Sequence, residues 1–166
     1  MKIEDYLNTL PESILSGQNI QLSKQSFREI FKFARLDKDH IFYHLGCGDG
    51  TGLAIAKEEF GAKKVIGVDN SKEKIDSANA LLNKKNILGA ETIFDDVSNV
   101  NIDNADVILF WFTDETILQK MVKKFSSLKD GTKIITIWGP LPGCLPDMVE
   151  FPYIINQVPF KEAKDL

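Results

Sequence analysis

Cysteine, histidine and charge of one sign are all scarce in this 166-residue chain, and each shortage closes off a class of protein. Two cysteines, Cys47 in a glycine loop and Cys144 in a Pro-Gly-Cys-Leu-Pro turn, do not make a disulfide framework. With two histidines and no His/Cys/Asp/Glu grouping at zinc or EF-hand spacing, a structural metal is not expected. The net charge of −4 sets up no field that would draw nucleic acid or an anionic membrane. The local lysine groups (Lys84 and Lys85; Lys120, Lys123, Lys124 and Lys129) mostly sit at helical spacing opposite apolar residues and read as solvated helix faces. No apolar run is long enough to cross a bilayer, and Met1 to Tyr6 has none of the features of a signal peptide. The expected setting is a reducing cytoplasm. Internal repeats and low-complexity tracts are also missing, and the length suits one domain with a real core.

The chain is rich in glycine at one place. Ile41 to Leu45 is a short apolar, strand-like run that leads into Gly46-Cys47-Gly48-Asp49-Gly50, and an amphipathic segment carrying Leu53, Ile55, Ala56 and Phe60 follows at once. Strand, glycine turn and helix start together bring bare backbone close to a nucleotide-like ligand. A dinucleotide loop needs Gly or Ala three residues after its second glycine. Thr51 or Leu53 stands there, depending on which glycine begins the count. No Gly-Lys-Ser/Thr follows either, so the loop is not built for phosphate.

Two further strand-like runs end in acids. Val65-Ile66-Gly67-Val68 leads to Asp69-Asn70, and a carboxylate at that tip can accept both hydrogens of a ribose diol. Glu91 to Phe94 leads to Asp95-Asp96-Val97, where a carboxylate can accept from an adenine amino group and the Val97 amide can donate to a ring nitrogen. Strands are expected at 41–45, 64–69, 90–94, 105–112 and 132–138. Helices are expected at 23–36, 51–60, 71–84 and 115–126, the first and third capped by Ser23 and Ser71. This alternation implies a mostly parallel, doubly wound α/β sheet with helices on both faces, binding its ligand beyond the carboxyl ends of the strands.

On the residues Leu45-Gly-Cys-Gly-Asp-Gly50 and Gly61-Ala-Lys-Lys-Val-Ile-Gly-Val-Asp69, with the acids after the third strand, the chain resembles the seven-strand (class I) S-adenosylmethionine-dependent methyltransferases over roughly residues 23–138. It looks closest to small archaeal protein lysine methyltransferases. The resemblance implies a Rossmann-like domain over residues 23–166, preceded by a helical extension over residues 1–22, and S-adenosylmethionine as cofactor. It assigns His44, Gly46, Cys47, Gly48 and Gly50 to the methionine end, Asp69 and Asn70 to the ribose, and Asp95, Asp96 and Val97 to adenine. Phe110 joins this cofactor-binding set. Phe112 and Thr113 become the catalytic candidates, because Phe110 to Asp114 is the segment best placed to line an acceptor channel. Trp138 and Tyr6 are further wall candidates.

His44 departs from the pattern, since the family usually carries Asp or Glu there; weaker or differently organised cofactor binding is expected. In itself His44 reads as a loop-facing or structural histidine and Cys47 as a small filler in a crowded turn. The Asn/Asp-Pro-Pro-Phe/Tyr signature of amino methylases acting on nucleobases or glutamine is replaced by Phe110-Trp111-Phe112-Thr113. The expected acceptor is a protein lysine, with a small molecule as the alternative and a non-catalytic cofactor-binding or interaction domain as the reading from another class. The carboxyl-terminal part shows only one apolar run, Phe151 to Phe160, broken by Pro152 and Pro159. The expectation is therefore an incomplete closing hairpin, with an exposed edge through which a second copy can pair.

Overall fold

The computed structural model describes residues 21–163. Helices α1 (Lys24–Ala34), α2 (Thr51–Glu58), α3 (Lys72–Lys84) and α4 (Glu115–Ser126) alternate with strands β1 (Ile41–Leu45), β2 (Lys64–Asp69), β3 (Ala90–Phe94), β4 (Val107–Phe110) and β5 (Lys133–Ile137). The expected caps are present: Ser23 and Ser71 each accept a backbone N–H three residues on. Asp114 does the same for Ile117 at the head of α4, a cap the sequence reading did not single out. Of the expected extension over residues 1–22, residues 1–20 lie outside the described residues; Gln21 and Leu22 are not helical.

The main sheet has the order β3-β2-β1-β4-β5-β8-β7, where β7 is Met148–Glu150 and β8 is Tyr153–Gln157. Strands β1 to β5 pair in parallel, and the chain changes its direction of travel between β1 and β4. That reversal opens a crevice beyond the strand tips. The parallel strands are apolar almost throughout because both faces are covered. Phe42, Val65, Leu109 and Ile135 meet α1, α2 and α3 on one side. Tyr43, Ile66, Phe110 and Ile134 meet Met121 and Phe125 of α4 on the other.

The expectation of an incomplete closing hairpin is corrected. Strand β7 pairs antiparallel with β8 (Met148 with Ile155, Val149 with Ile154, Glu150 with Tyr153), and β8 pairs antiparallel with β5. Seven strands are therefore present. Strand β7 escaped notice because it has three residues, all exposed, too few to set up a periodicity. Pro152 lies in the turn and Pro159 beyond the strand, so β8 is an interior strand and β7 the edge. A small second sheet pairs β6 (Cys144–Leu145) with β9 (Lys161–Glu162).

Close approach explains one glycine in the sheet. A Cβ at Gly67 would stand 2.5 Å from Leu53 Cδ1 and 2.8 Å from both Cβ and Sγ of Cys47. Helix α2 and the glycine loop thus pack directly on bare β2 backbone. Gly67→Ala is expected to destabilise the fold by about 1–3 kcal/mol through overpacking, read as a lowered urea midpoint at unchanged slope.

Candidate active site

Strand β1 delivers the loop to the carboxyl edge, and β2 holds it there. The amides of Gly46 and Cys47 both donate to Val68 O, at 2.7 and 3.0 Å. The Gly48 amide donates to Asp69 Oδ2 at 3.0 Å, while Asp69 Oδ1 accepts from the Ser71 amide at 3.0 Å. One carboxylate therefore ties the glycine loop to the start of α3. Each of its oxygens keeps a second lone pair for a ligand.

Positive φ angles dictate the glycines here. Gly46 has φ +85°, and a Cβ on it would press at 3.3 Å on the Phe112 ring. Gly50, also at φ +85°, is the residue before α2; a Cβ there would lie 3.0 Å from Cα and Cβ of Ala78 in α3. Gly50 therefore serves helix packing.

A cleft of about 230 Å³ lies over the tips of β1, β2 and β4. Among the expected site residues, His44, Gly46, Cys47, Asp69, Asn70, Asp96, Val97, Phe112 and Thr113 line it together. Four others do not, and each for a local reason. Gly48 faces Gln21, whose Oε1 would meet a Cβ at 2.8 Å. Gly50 is packed against α3, as above. Asp95 turns its Oδ1 to the Asp96 amide and to Asn99 Nδ2. Phe110 is fully buried on the α4 side of the sheet, stacked on Phe112 at 4.8 Å and edge-on to Phe125 at 5.1 Å. Alternation carried on from β4 places Phe110 and Phe112 on one face and Trp111 on the other.

The cleft also takes in Gln21, Leu22, Phe27, Lys74, Leu109, Trp111 and Ile117. Trp111 had been flagged as part of the segment after strand four. Lys74 was missed, although a helix that begins at the carboxyl edge presents its first turn to the cleft. Phe27 reaches it from the buried face of α1.

Asp96 accepts from the Ser98 amide at 2.8 Å and the Ser98 hydroxyl at 2.7 Å, so its carboxyl lies below the usual range. It caps the short 3-10 turn Val97–Asn99. Cys47 is buried, and burial pushes its thiol up to about 12, with the Asp69 carboxylate adding to the effect. A thiol held protonated in that way is a filler and no nucleophile.

His44 is 7% exposed and packs edge-on to Phe27 at 5.6 Å. Its Nδ1 is buried without a hydrogen-bond partner among the described residues. Burial lowers its pKa to about 4 against the opposing pull of Asp69 and Asp49, so the imidazole is neutral at pH 7. Glycine at position 52 leaves the room it needs, since a Cβ there would stand 3.1 Å from Nδ1 and 2.7 Å from Phe27 Cε1.

Bare Gly46 backbone, carboxylates with spare lone pairs on two adjacent strand tips, and apolar walls from Leu109, Trp111 and Val97 fit a nucleoside joined to a small cationic amino acid. A doubly wound sheet with these tips defines a Rossmann-like nucleoside-binding protein. The chain belongs to the methyltransferase domain family, whose profile matches residues 42–130, and it is an S-adenosylmethionine-dependent methyltransferase. Over 113 residues it is 33% identical to a protein-lysine N-methyltransferase of Saccharolobus islandicus (strain REY15A), covering 66% of this chain and 68% of that one. Over 120 residues it is 27% identical to a carboxy-S-adenosyl-L-methionine synthase of Histophilus somni (strain 2336); the match takes in 70% of this chain and 48%, about half, of the synthase. The fold superposes with a TM-score of 0.79, at 19% identity, on an RNA methyltransferase from Salinibacter ruber solved with S-adenosyl-L-homocysteine, covering 89% of this chain and 99% of that one. Among the described residues no helix is long and apolar enough to cross a membrane, and no group of three or more His, Cys, Asp and Glu side chains is placed to hold a metal ion.

Proposed function

We propose that the chain methylates lysine side chains of proteins, with Asp69 accepting from the ribose hydroxyls, Asp96 and Val97 meeting the adenine, and Gly46 lying against the methionine tail. Asn70 borders the ribose end. Phe112 and Thr113 stand where the acceptor enters. S-adenosylmethionine supplies a methyl group already activated on a sulfonium, so the protein has mainly to hold a nucleophile in line. Orientation of that kind is worth about 7–11 kcal/mol of barrier and needs no acid or base residue. A lysine amine must arrive without its proton, and a dry wall favours that by disfavouring the charged form.

The observation that carries the reading is the aromatic, apolar wall of Leu109, Trp111, Phe112 and Ile117 beside the carboxylates of Asp69 and Asp96. Such a wall desolvates an amine, and its ring faces attract a cation on approach. The Saccharolobus relative, a protein-lysine N-methyltransferase, points the same way. The neutral His44 contributes no charge to neutralise the cofactor's ammonium group; the charged side chains lining the cleft are Asp69, Asp96 and Lys74.

Methyl-labelled cofactor incubated with the chain and a mixture of lysine-rich proteins is expected to leave label in the protein fraction. Hydrolysis of that fraction should release methylated lysine. Label confined to small molecules would overturn the lysine assignment and favour the small-metabolite alternative. Cofactor binding with no transfer to anything would favour a non-catalytic binding domain.

A further inference from the structure

Among the described residues, three of the five large exposed apolar side chains follow one another, while Leu88 and Phe94 stand apart at the β3 end of the sheet. Met148, Val149 and Phe151 are 42%, 57% and 58% exposed and follow one another along β7 and its turn into β8. That turn stands on the same edge as the cleft, because Tyr153 pairs with Ile137, the last residue of β5, and the Trp138 amide donates to Pro152 O at 2.8 Å.

Trp138 links the two regions. Its φ of +80° is a strained choice for a bulky residue, of the kind that accumulates at functional sites. Alternation along a strand should put Ile137 and Trp138 on opposite faces, yet both pack on the face that carries Trp111. The left-handed residue has turned its indole back to that side. There the Phe151 ring meets it edge-on at 5.7 Å. The register of β4 with β5 ends at Leu109 and Ile135, and Trp111 and Ile137, two residues beyond that pair, belong to the same apolar cluster. An apolar row thus runs from the cleft at Trp111 through Trp138 to Phe151, and Met148, paired with Ile155, adds to the same face, whereas Val149, paired with Ile154, points to the other.

We infer that this row is the docking surface for the substrate protein segment that carries the acceptor lysine, an inference that rests on the lysine reading above. Continuity with the cleft is one argument. Charge is the other: residues 134–160 contain no Lys or Arg and only two acids, Asp147 and Glu150. Nucleic acid is held mainly by cations on its phosphates, and residues 134–160 supply none. Asp147 is already paired with Lys161 at 3.2 Å, which leaves Glu150 as the charge facing a lysine-bearing segment.

The spacing makes the inference quantitative. Strand β4 and the hairpin strand β8 are two strand widths apart, about 10 Å. An extended peptide covers that in about three to four residues. With its lysine in the cleft, a substrate segment therefore puts the side chain three or four positions away onto Phe151, in the turn that enters β8.

The test titrates the full chain, saturated with S-adenosylhomocysteine, with two short synthetic peptides. Both carry one central lysine. One has Leu and Phe three and four positions to either side, and the other has Ser and Gly there. The first is expected to bind about tenfold more tightly, the effect of a small apolar anchor. The double variant Met148→Ser, Phe151→Ser should erase the preference while leaving the thermal midpoint and the affinity for S-adenosylhomocysteine unchanged. Equal affinities in the parent chain, no binding of either peptide, or a preference that survives the double variant would overturn the docking surface. So would a dimer in sedimentation that the double variant dissociates, or a single-stranded RNA oligonucleotide whose binding it abolishes. Labelled methyl transfer to the same peptides separates this inference from the one beneath it. Flank-dependent binding without transfer refutes the lysine reading and keeps the surface, whereas transfer indifferent to the flanks does the reverse.

Discussion

Asp69→Ala is expected to weaken S-adenosylmethionine binding by about 1–3 kcal/mol, roughly 5- to 150-fold in the dissociation constant measured by calorimetric titration. The prediction has two sources in the structure. The alanine takes away the acceptor proposed for the ribose hydroxyls. It also orphans the Gly48 and Ser71 amides that the carboxylate now satisfies, so the glycine loop loses its tie to α3. Asp69→Asn separates the two contributions. It can keep one amide bonded, but its NH2 group faces a second donor, and an intermediate loss is expected. Unchanged affinity in both variants would place the nucleoside elsewhere. Gly48→Val acts by another route. Its Cβ would collide with Gln21 at a backbone φ of +56°, so any loss of binding is accompanied by a lower thermal midpoint, in contrast to a ligand-blocking side chain.

Acidification is expected to expose His44. Its pKa is about 4 in the fold and ordinarily about 6.5. Between these values the unfolded chain binds a proton that the folded chain refuses. Stability is therefore full above pH 6.5, declines as the pH falls towards 4, and gains no further loss from this group below that. The whole contribution is about 3 kcal/mol. Other carboxylates titrate in the same range, so the difference between the parent and His44→Asn is the quantity to read. Urea midpoints of the two should draw apart below pH 6.5, with the parent falling faster. Parallel curves would mean that the imidazole is solvated or finds a partner for its proton.

The sequence was most informative where a single element carries its own signal. Ser23 and Ser71 mark their helix starts, and the continuous apolar runs of β1, β2 and β4 identify buried parallel strands. The three acid-tipped or glycine-tipped strands were legible because each tip follows such a run directly. Features that depend on tertiary neighbours were not legible. Gly50 looks like part of a ligand loop until Ala78 is seen against it. Periodicity gave Phe110 and Phe112 a common face, but only the packing of α4 reveals that Phe110 is sealed beneath Phe112. Lys74 reaches the cleft because α3 begins at the carboxyl edge. Strand β7 is held by pairing to β8 alone, and three exposed residues leave no pattern to read. The indole of Trp138 faces the cleft side through a backbone angle that no side-chain pattern encodes.

A crystal structure with S-adenosylhomocysteine bound tests the central claim most directly. The ribose hydroxyls are expected within hydrogen-bond distance of the Asp69 carboxylate, the adenine beside Asp96 and Val97, and the amino-acid tail along Gly46 near the neutral His44. Ligand density that leaves Asp69 untouched, or that occupies another face of the sheet, would contradict the account.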